Sequence, residues 1–231
     1  MSTPVQAVLF DAAGTLLRLR EPVGDTYARL ARTFGVNTTA NRIEPAFRAA
    51  WQQMPPMLFP SASPERIIEL ERAWWRKVVA TTFRIADESA EFSDFEQYFN
   101  LLFAHFAQPS SWQVIPDAVE VLAALRGRGL RTGIVSNFDH RLKSILDGLG
   151  LRALLDVLVL PADAGALKPD ARIFRVALSQ LDVVESEAAY VGDDAEHDIA
   201  GARAAGLRAI DVATLKPFTA LLHTLGVAAR G

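Results

Sequence analysis

No cysteine occurs among the 231 residues. That absence excludes disulfides, thiolate nucleophiles and cysteine-ligated zinc at once, and it fits a reducing compartment. Runs of lysine and arginine are missing too, and the formal net charge is −3. The chain therefore lacks the basic footprint that nucleic acid or an anionic membrane surface selects for. No stretch approaches the ~18 uninterrupted apolar residues of a membrane span. Residues 1–6 hold no basic segment followed by an apolar one, so no signal peptide is expected. A cytoplasmic chain with neither nucleic-acid nor membrane partner is the expectation these absences leave. What is present is core-forming material. Hydrophobic residues make up 50% of the chain against 22% charged, a balance that supports a packed interior rather than disorder.

Short apolar runs at 5–10, 132–135, 157–160, 188–191 and 208–212 read as buried strands. Helical patterns at about 116–128, 139–149, 170–180, 195–205 and 216–225 alternate with them. This alternation predicts an α/β fold, a Rossmann-like, mostly parallel sheet covered on both faces. Residues 22–109 break the alternation. They show no convincing strand and carry helical patterns near 23–34, 40–53, 64–83 and 90–107. Most of the phenylalanines and three of the four tryptophans lie there. The expected organisation is a core of residues 1–21 and 110–231 with an inserted all-helical subdomain, 22–109, whose aromatic residues (Trp51, Trp74, Trp75, Phe92, Phe95, Phe99, Phe103 and Phe106) form its own core.

In an open parallel sheet, ligands bind beyond the carboxyl ends of the strands. The first strand ends in Asp11, followed by Ala12-Ala13-Gly14-Thr15; the second ends in Ser136-Asn137. Lys168-Pro169-Asp170 follows the third, with Pro169 placed to open a helix, and the fourth ends in Gly192-Asp193-Asp194, with Asp198 beyond. Singly, these are ordinary turn residues, caps or solvated side chains. Jointly they bring carboxylates, a cation and a hydroxyl to one sheet edge. Phosphoryl transfer uses those groups. A carboxylate attacks phosphorus to give an acyl-phosphate that water then cleaves. A hard cation such as Mg²⁺ on oxygen ligands neutralises the substrate, and Asp11 and Asp193 can supply ligands. Lys168 can offset the clustered charge. Ser136 and main-chain N–H groups can donate to phosphate oxygens. Asp194 and Asp198, four residues apart, are expected on one helix face in the metal's outer shell.

These motifs, in this order, resemble the haloacid dehalogenase superfamily over nearly the whole chain. Further stretches are similar to the subfamily named for rhythmically expressed gene two, which includes haloacid-dehalogenase-like-domain proteins. They include Trp74-Trp75, Ser111-Trp112-Gln113-Val114, Ser136-Asn137-Phe138-Asp139 and Lys168-Pro169-Asp170-Ala171-Arg172. The resemblance implies a helical cap and a site in the cleft between cap and core. It implies Asp11 as nucleophile and metal ligand, Asp193 and the main-chain carbonyl of Ala13 as further Mg²⁺ ligands, Ser136 with Asn137 at the phosphate, and Lys168 as the charge balance.

Ala13 departs from the family pattern. Phosphatases of the superfamily carry there a second Asp that serves as general acid and base. An alanine keeps the carbonyl but moves no proton. Acid–base help is worth roughly 10²–10⁴-fold, so activity on ordinary alkyl phosphates is expected to be weak. Phosphonate-cleaving members tolerate alanine there but use a cap lysine, and nothing in the Trp74-Trp75-Arg76-Lys77 setting marks Lys77 as reactive. Two alternatives stay open. One is a 2-haloacid dehalogenase acting on a halogenated substrate held by a cap arginine, a place Arg48 can fill as readily as it can sit solvated on its helix. The other is a non-catalytic module that binds a small phosphorylated ligand. Gly192-Asp193-Asp194 argues against the first, because carboxylates gathered near Asp11 without a cation repel one another. His197 reads as a solvent-facing helix residue.

Overall fold

The computed structural model describes residues 4–227. Its strands are β1 (Ala7–Phe10), β2 (Leu17–Leu19), β3 (Trp112–Val114), β4 (Arg131–Val135), β5 (Val157–Val159), β6 (Ala188–Gly192) and β7 (Arg208–Asp211). Five of them form one parallel sheet in the order β5-β4-β1-β6-β7, with Leu9 of β1 in register with Gly133 on one side and Tyr190 on the other. β1 takes the centre because every one of its residues is apolar and fully buried, as a strand covered on both faces requires. On one face Leu9, Val135 and Val159 pack with Phe174, Ala177 and Leu178 of the helix Ala171–Leu181. The fold is the expected Rossmann-like α/β arrangement.

The chain divides into two compact units: one runs through Arg18 and resumes at Gln113, and the other is Leu19–Trp112. The second is built from four long helices, Val23–Arg32, Ala40–Gln53, Pro64–Ala86 and Phe95–Ala107. Ser63 caps the third by accepting from the Arg66 N–H at 3.4 Å, and Asp94 caps the fourth by accepting from the Gln97 N–H at 2.9 Å. That cap starts the fourth helix later than the sequence pattern predicts. Tyr27, Ile43, Phe83, Tyr98, Phe99 and Leu102 form the main core of this unit, and Phe92, Phe95, Phe103 and Phe106 pack on it. The aromatic residues are thus core material, with Trp51 the partial exception: it is 44% exposed, its ring 5.1 Å from that of Trp74. β2 and β3 pair with each other as the chain leaves and re-enters the sheet unit. Their three residues each are too few for periodicity to reveal.

Two local expectations change. The helix after Lys168 begins at Ala171, not at Pro169, because Asp170 stands at its cap and accepts from the Arg172 N–H at 2.9 Å. The segment 195–205 is not one α-helix. It opens as a π-helix over Ala195–Ala200, in which the Ile199 N–H reaches the Asp194 carbonyl at 3.0 Å, and continues as an α-turn over Gly201–Ala204. Such widened turns occur often at functional sites.

Asp156 ties the start of β5 to β4. Its carboxylate accepts from the Thr132 N–H at 2.8 Å and from Arg126 at 2.7 Å. Burial pushes this carboxyl group up, but the Thr132 N–H and the Arg126 guanidinium outweigh it and hold it below its ordinary value. A group lowered on folding contributes stability above its unfolded-chain value and loses it as pH falls through the folded value. Asp156→Asn is expected to cost about 1–2 kcal/mol at neutral pH. In urea titrations that difference should shrink at acid pH; a constant difference would contradict the charge-based origin.

Candidate active site

Because the five strands run parallel, the residues that follow them collect at one edge. The ladder continues past β1 and β4: the Asp11 N–H donates to the Val191 carbonyl at 2.9 Å and the Ser136 N–H to the Val159 carbonyl at 3.2 Å. Both side chains are therefore carried on fixed backbone. After Asp11 the chain turns tightly, with the Leu16 and Leu17 N–H groups donating to the Ala12 carbonyl at 2.9 and 2.8 Å. Gly14 sits in this turn at φ +100°, and a Cβ there would lie 2.3 Å from Asp193 Oδ2. Only glycine combines that conformation with so close an approach. Gly192 serves Asp198 similarly, since a Cβ on it would lie 2.4 Å from Asp198 Oδ2.

Lys168 is buried at the centre of the group. An ammonium has three N–H donors and no acceptor, and three acceptors surround it: Asp11 Oδ1 at 2.6 Å, Asp198 Oδ1 at 2.5 Å and the Tyr190 hydroxyl at 2.9 Å. Asp198 is also fully used. Its Oδ2 accepts from the main-chain N–H groups of Asp193 and Asp194, each at 3.1 Å. The Tyr190 hydroxyl lies 2.8 Å from the Val135 carbonyl and 3.0 Å from Asp198 Oδ1, two acceptors for its one proton. Burial, then the charges of Asp11 and Asp198, hold this phenol well above its ordinary value, so it remains a donor.

The carboxylates respond to one another. Burial raises Asp11 above its ordinary value, and Lys168 only partly reverses the effect. Asp193 is exposed as a residue, yet its carboxyl group lies low against Gly14. This partial loss of water, followed by the charges of Asp11 and Asp198, raises it to about 6. Oxygens of Asp11, Asp193 and Asp198 all lie within 4.8 Å of one another. With all three ionised, one lysine leaves two negative charges in excess. A divalent cation fits that excess. Of the three, Asp198 has its oxygens committed to Lys168 and two N–H groups, so Asp11 and Asp193 are the side chains with capacity left for an ion. Ala13, one residue before Gly14, presents main-chain oxygen only.

The structure gathers Asp11, Ser136, Lys168, Asp193 and Asp198 at one edge. Other residues have partners of their own. Asn137 faces the Lys168 backbone: its amide Nδ2–H donates to the Lys168 carbonyl at 2.9 Å and its Oδ1 accepts from the Lys168 N–H at 2.7 Å. Asp194 does not share a helix face with Asp198. It stands at the π-helix cap, where Oδ1 accepts from the Glu196 and His197 N–H groups at 2.9 and 2.7 Å. His197 is exposed, with Nδ1 at 3.0 Å from the same oxygen. Arg48 belongs to the helical unit, where it is exposed and lies 3.4 Å from Glu44. Tyr190 escaped the sequence reading because an aromatic residue in a buried strand looks like core. The available signal was a hydroxyl in an otherwise apolar run, a polar atom that needs a partner when buried.

The chain resembles known proteins along most of its length. The profile of the haloacid dehalogenase-like hydrolases matches residues 5–206. The mouse haloacid dehalogenase-like hydrolase domain-containing protein 3 is 39% identical over 216 residues, covering 92% of this chain and 84% of its own. The rhythmically expressed gene 2 protein of Drosophila melanogaster is 27% identical over 207 residues, 86% of this chain and 79% of that one. The crystal structure of the HAD (haloacid dehalogenase) phosphatase from Thermococcus onnurineus superposes with a TM-score of 0.63 at 25% identity, covering 96% of this chain and 98% of that one. A profile that spans Asp11, Ser136, Lys168 and Asp193 in one match, together with a relative this similar along almost its whole length, places the chain in the family of haloacid dehalogenase-like hydrolases.

Proposed function

We propose that this hydrolase cleaves phosphate esters through an aspartyl-phosphate on Asp11. The observation that carries the reading is the cluster of three carboxylates around a single, hydrogen-bond-saturated lysine. Its excess negative charge suits a bound Mg²⁺, for which Asp11, the main-chain carbonyl of Ala13 and Asp193 are the ligands of choice. When bound, the ion neutralises phosphate oxygens and the local carboxylate charge. An Asp11 oxygen attacks phosphorus, the bond to the leaving oxygen breaks, and water then cleaves the acyl-phosphate to free the carboxylate. Lys168 lowers the Asp11 carboxyl group against the effect of burial and so favours its ionised, attacking form. Ser136, at the end of β4, donates to a phosphate oxygen. Asn137 is assigned to the Lys168 backbone rather than to the phosphate, since its amide oxygen and one of its N–H bonds are already engaged there. Asp198 supports the ligand loop through the N–H groups of Asp193 and Asp194.

Ala13 offers no proton to the departing oxygen. The leaving group must depart as a stabilised anion, which favours aryl over alkyl phosphates. Hydrolysis of p-nitrophenyl phosphate that requires Mg²⁺ and stops with chelator is the expected result. A parallel assay for halide release from 2-chloropropionate separates the dehalogenase chemistry, which the uncompensated carboxylates disfavour. Halide release without metal would overturn the phosphatase reading, and inactivity toward both substrates would favour a binding role. Ala13→Asp restores a proton-carrying side chain beside Asp11. It should raise turnover of alkyl phosphates by about 10²-fold or more; an unchanged rate would mean that a missing acid is not what limits this site.

A further inference from the structure

The third acceptor of Lys168 is neither a charge nor a member of the motif set. We infer that the Tyr190 hydroxyl is a positioning residue that fixes the Lys168 ammonium through the reaction, an inference that rests on the phosphatase reading above. Tyr190 is fully buried on β6, with its ring centroid 5.1 Å from that of Phe174 and its hydroxyl tied to the Val135 carbonyl at 2.8 Å. Its oxygen is thus a neutral point held by the sheet itself. The other two acceptors are Asp11 and Asp198. When an Asp11 oxygen bonds to phosphorus, the Asp11 carboxylate becomes a neutral acyl group and its hold on Lys168 weakens. The negative charge then lies on the phosphoryl oxygens and on Asp198, and the pulls on the ammonium are redistributed. A hydrogen bond of unchanging charge at 2.9 Å keeps Nζ in register before and after phosphoryl transfer. Asn137 does the same for the other end of the residue, pairing with its main-chain N–H and carbonyl.

Tyr190→Phe deletes this oxygen and keeps the packed ring. Its effect is read in two ways on the full chain. Steady-state turnover of p-nitrophenyl phosphate with Mg²⁺ should show kcat reduced on the order of tenfold, the scale of one hydrogen bond, with KM held within about twofold because substrate binding is untouched. The chain has only four lysines, Lys77, Lys143, Lys168 and Lys216. With ¹⁵N-lysine labelling, the buried ammonium of Lys168 should give the slowly exchanging side-chain signal, absent in Lys168→Met. That signal should shift or broaden in Tyr190→Phe while the thermal midpoint stays close to wild type. An unchanged ammonium signal overturns the proposal whatever the kinetics. A shifted signal with unaltered kcat overturns the role in the reaction. If the wild-type chain hydrolyses no aryl phosphate, the phosphatase reading falls, and the ammonium signal still decides whether Tyr190 places Lys168.

Discussion

Asp11→Asn should reduce hydrolysis of p-nitrophenyl phosphate by about 10³-fold or more, the scale on which loss of a covalent nucleophile acts. An amide has nearly the same size and shape as the carboxylate but no charge with which to attack phosphorus. The fold should persist. The N–H of residue 11 still donates to the Val191 carbonyl, and the amide oxygen can still accept from Lys168. Removing one of three crowded carboxylates also relieves repulsion within the cluster. Circular dichroism and the urea midpoint should therefore stay near wild type while turnover vanishes. Unchanged turnover in a folded Asp11→Asn protein would sink the assignment of Asp11.

Lys168→Met should be the most destabilising single change at the site, by about 3–5 kcal/mol in urea unfolding without added metal. Methionine retains the apolar stem of this 4%-exposed side chain and removes only the charged end. Asp11 and Asp198 then lose their cation, and the Tyr190 hydroxyl loses its donor. An unpaired buried charge costs far more than a broken surface pair. Saturating Mg²⁺ should recover part of the loss, because an ion that binds only the folded state stabilises it by mass action, whereas turnover should stay low. A loss below about 1 kcal/mol, the level of an exposed ion pair, would show that Lys168 is not the charge on which the cluster depends.

Much of this was legible beforehand because it rests on local pattern. Apolar runs of four to six residues alternating with amphipathic stretches specify parallel strands and helices, and parallel strands must end at one edge. Asp11, Ser136, Lys168 and Asp193 were therefore readable as a set before any distance was known. Spacing misled where a side chain had a local alternative. Asp194 and Asp198 sit four apart, as helix-face neighbours do, but Asp194 found two main-chain N–H groups at a helix start and became a cap. Pro169 is a plausible first residue of a helix, yet Asp170 supplied the cap. Asn137 reads as an extension of Ser136 along the chain, but its amide matches the hydrogen-bonding edge of a peptide unit and pairs with Lys168, a residue distant in sequence.

The sequence by itself determined the alternation that builds the sheet, the carboxylates and lysine that follow its strands, and the missing proton carrier at Ala13. These follow from residue identity and from periodicities over a few positions. The tertiary structure alone decided which oxygens are already occupied. It closed Asp198 to further ligands, left Asp11 and Asp193 available, and made Tyr190 the third support of Lys168. Hydrogen-bond capacity is filled by whatever atoms lie within about 3 Å, and for Lys168 and Tyr190 those atoms come from segments far apart in sequence that only folding brings together.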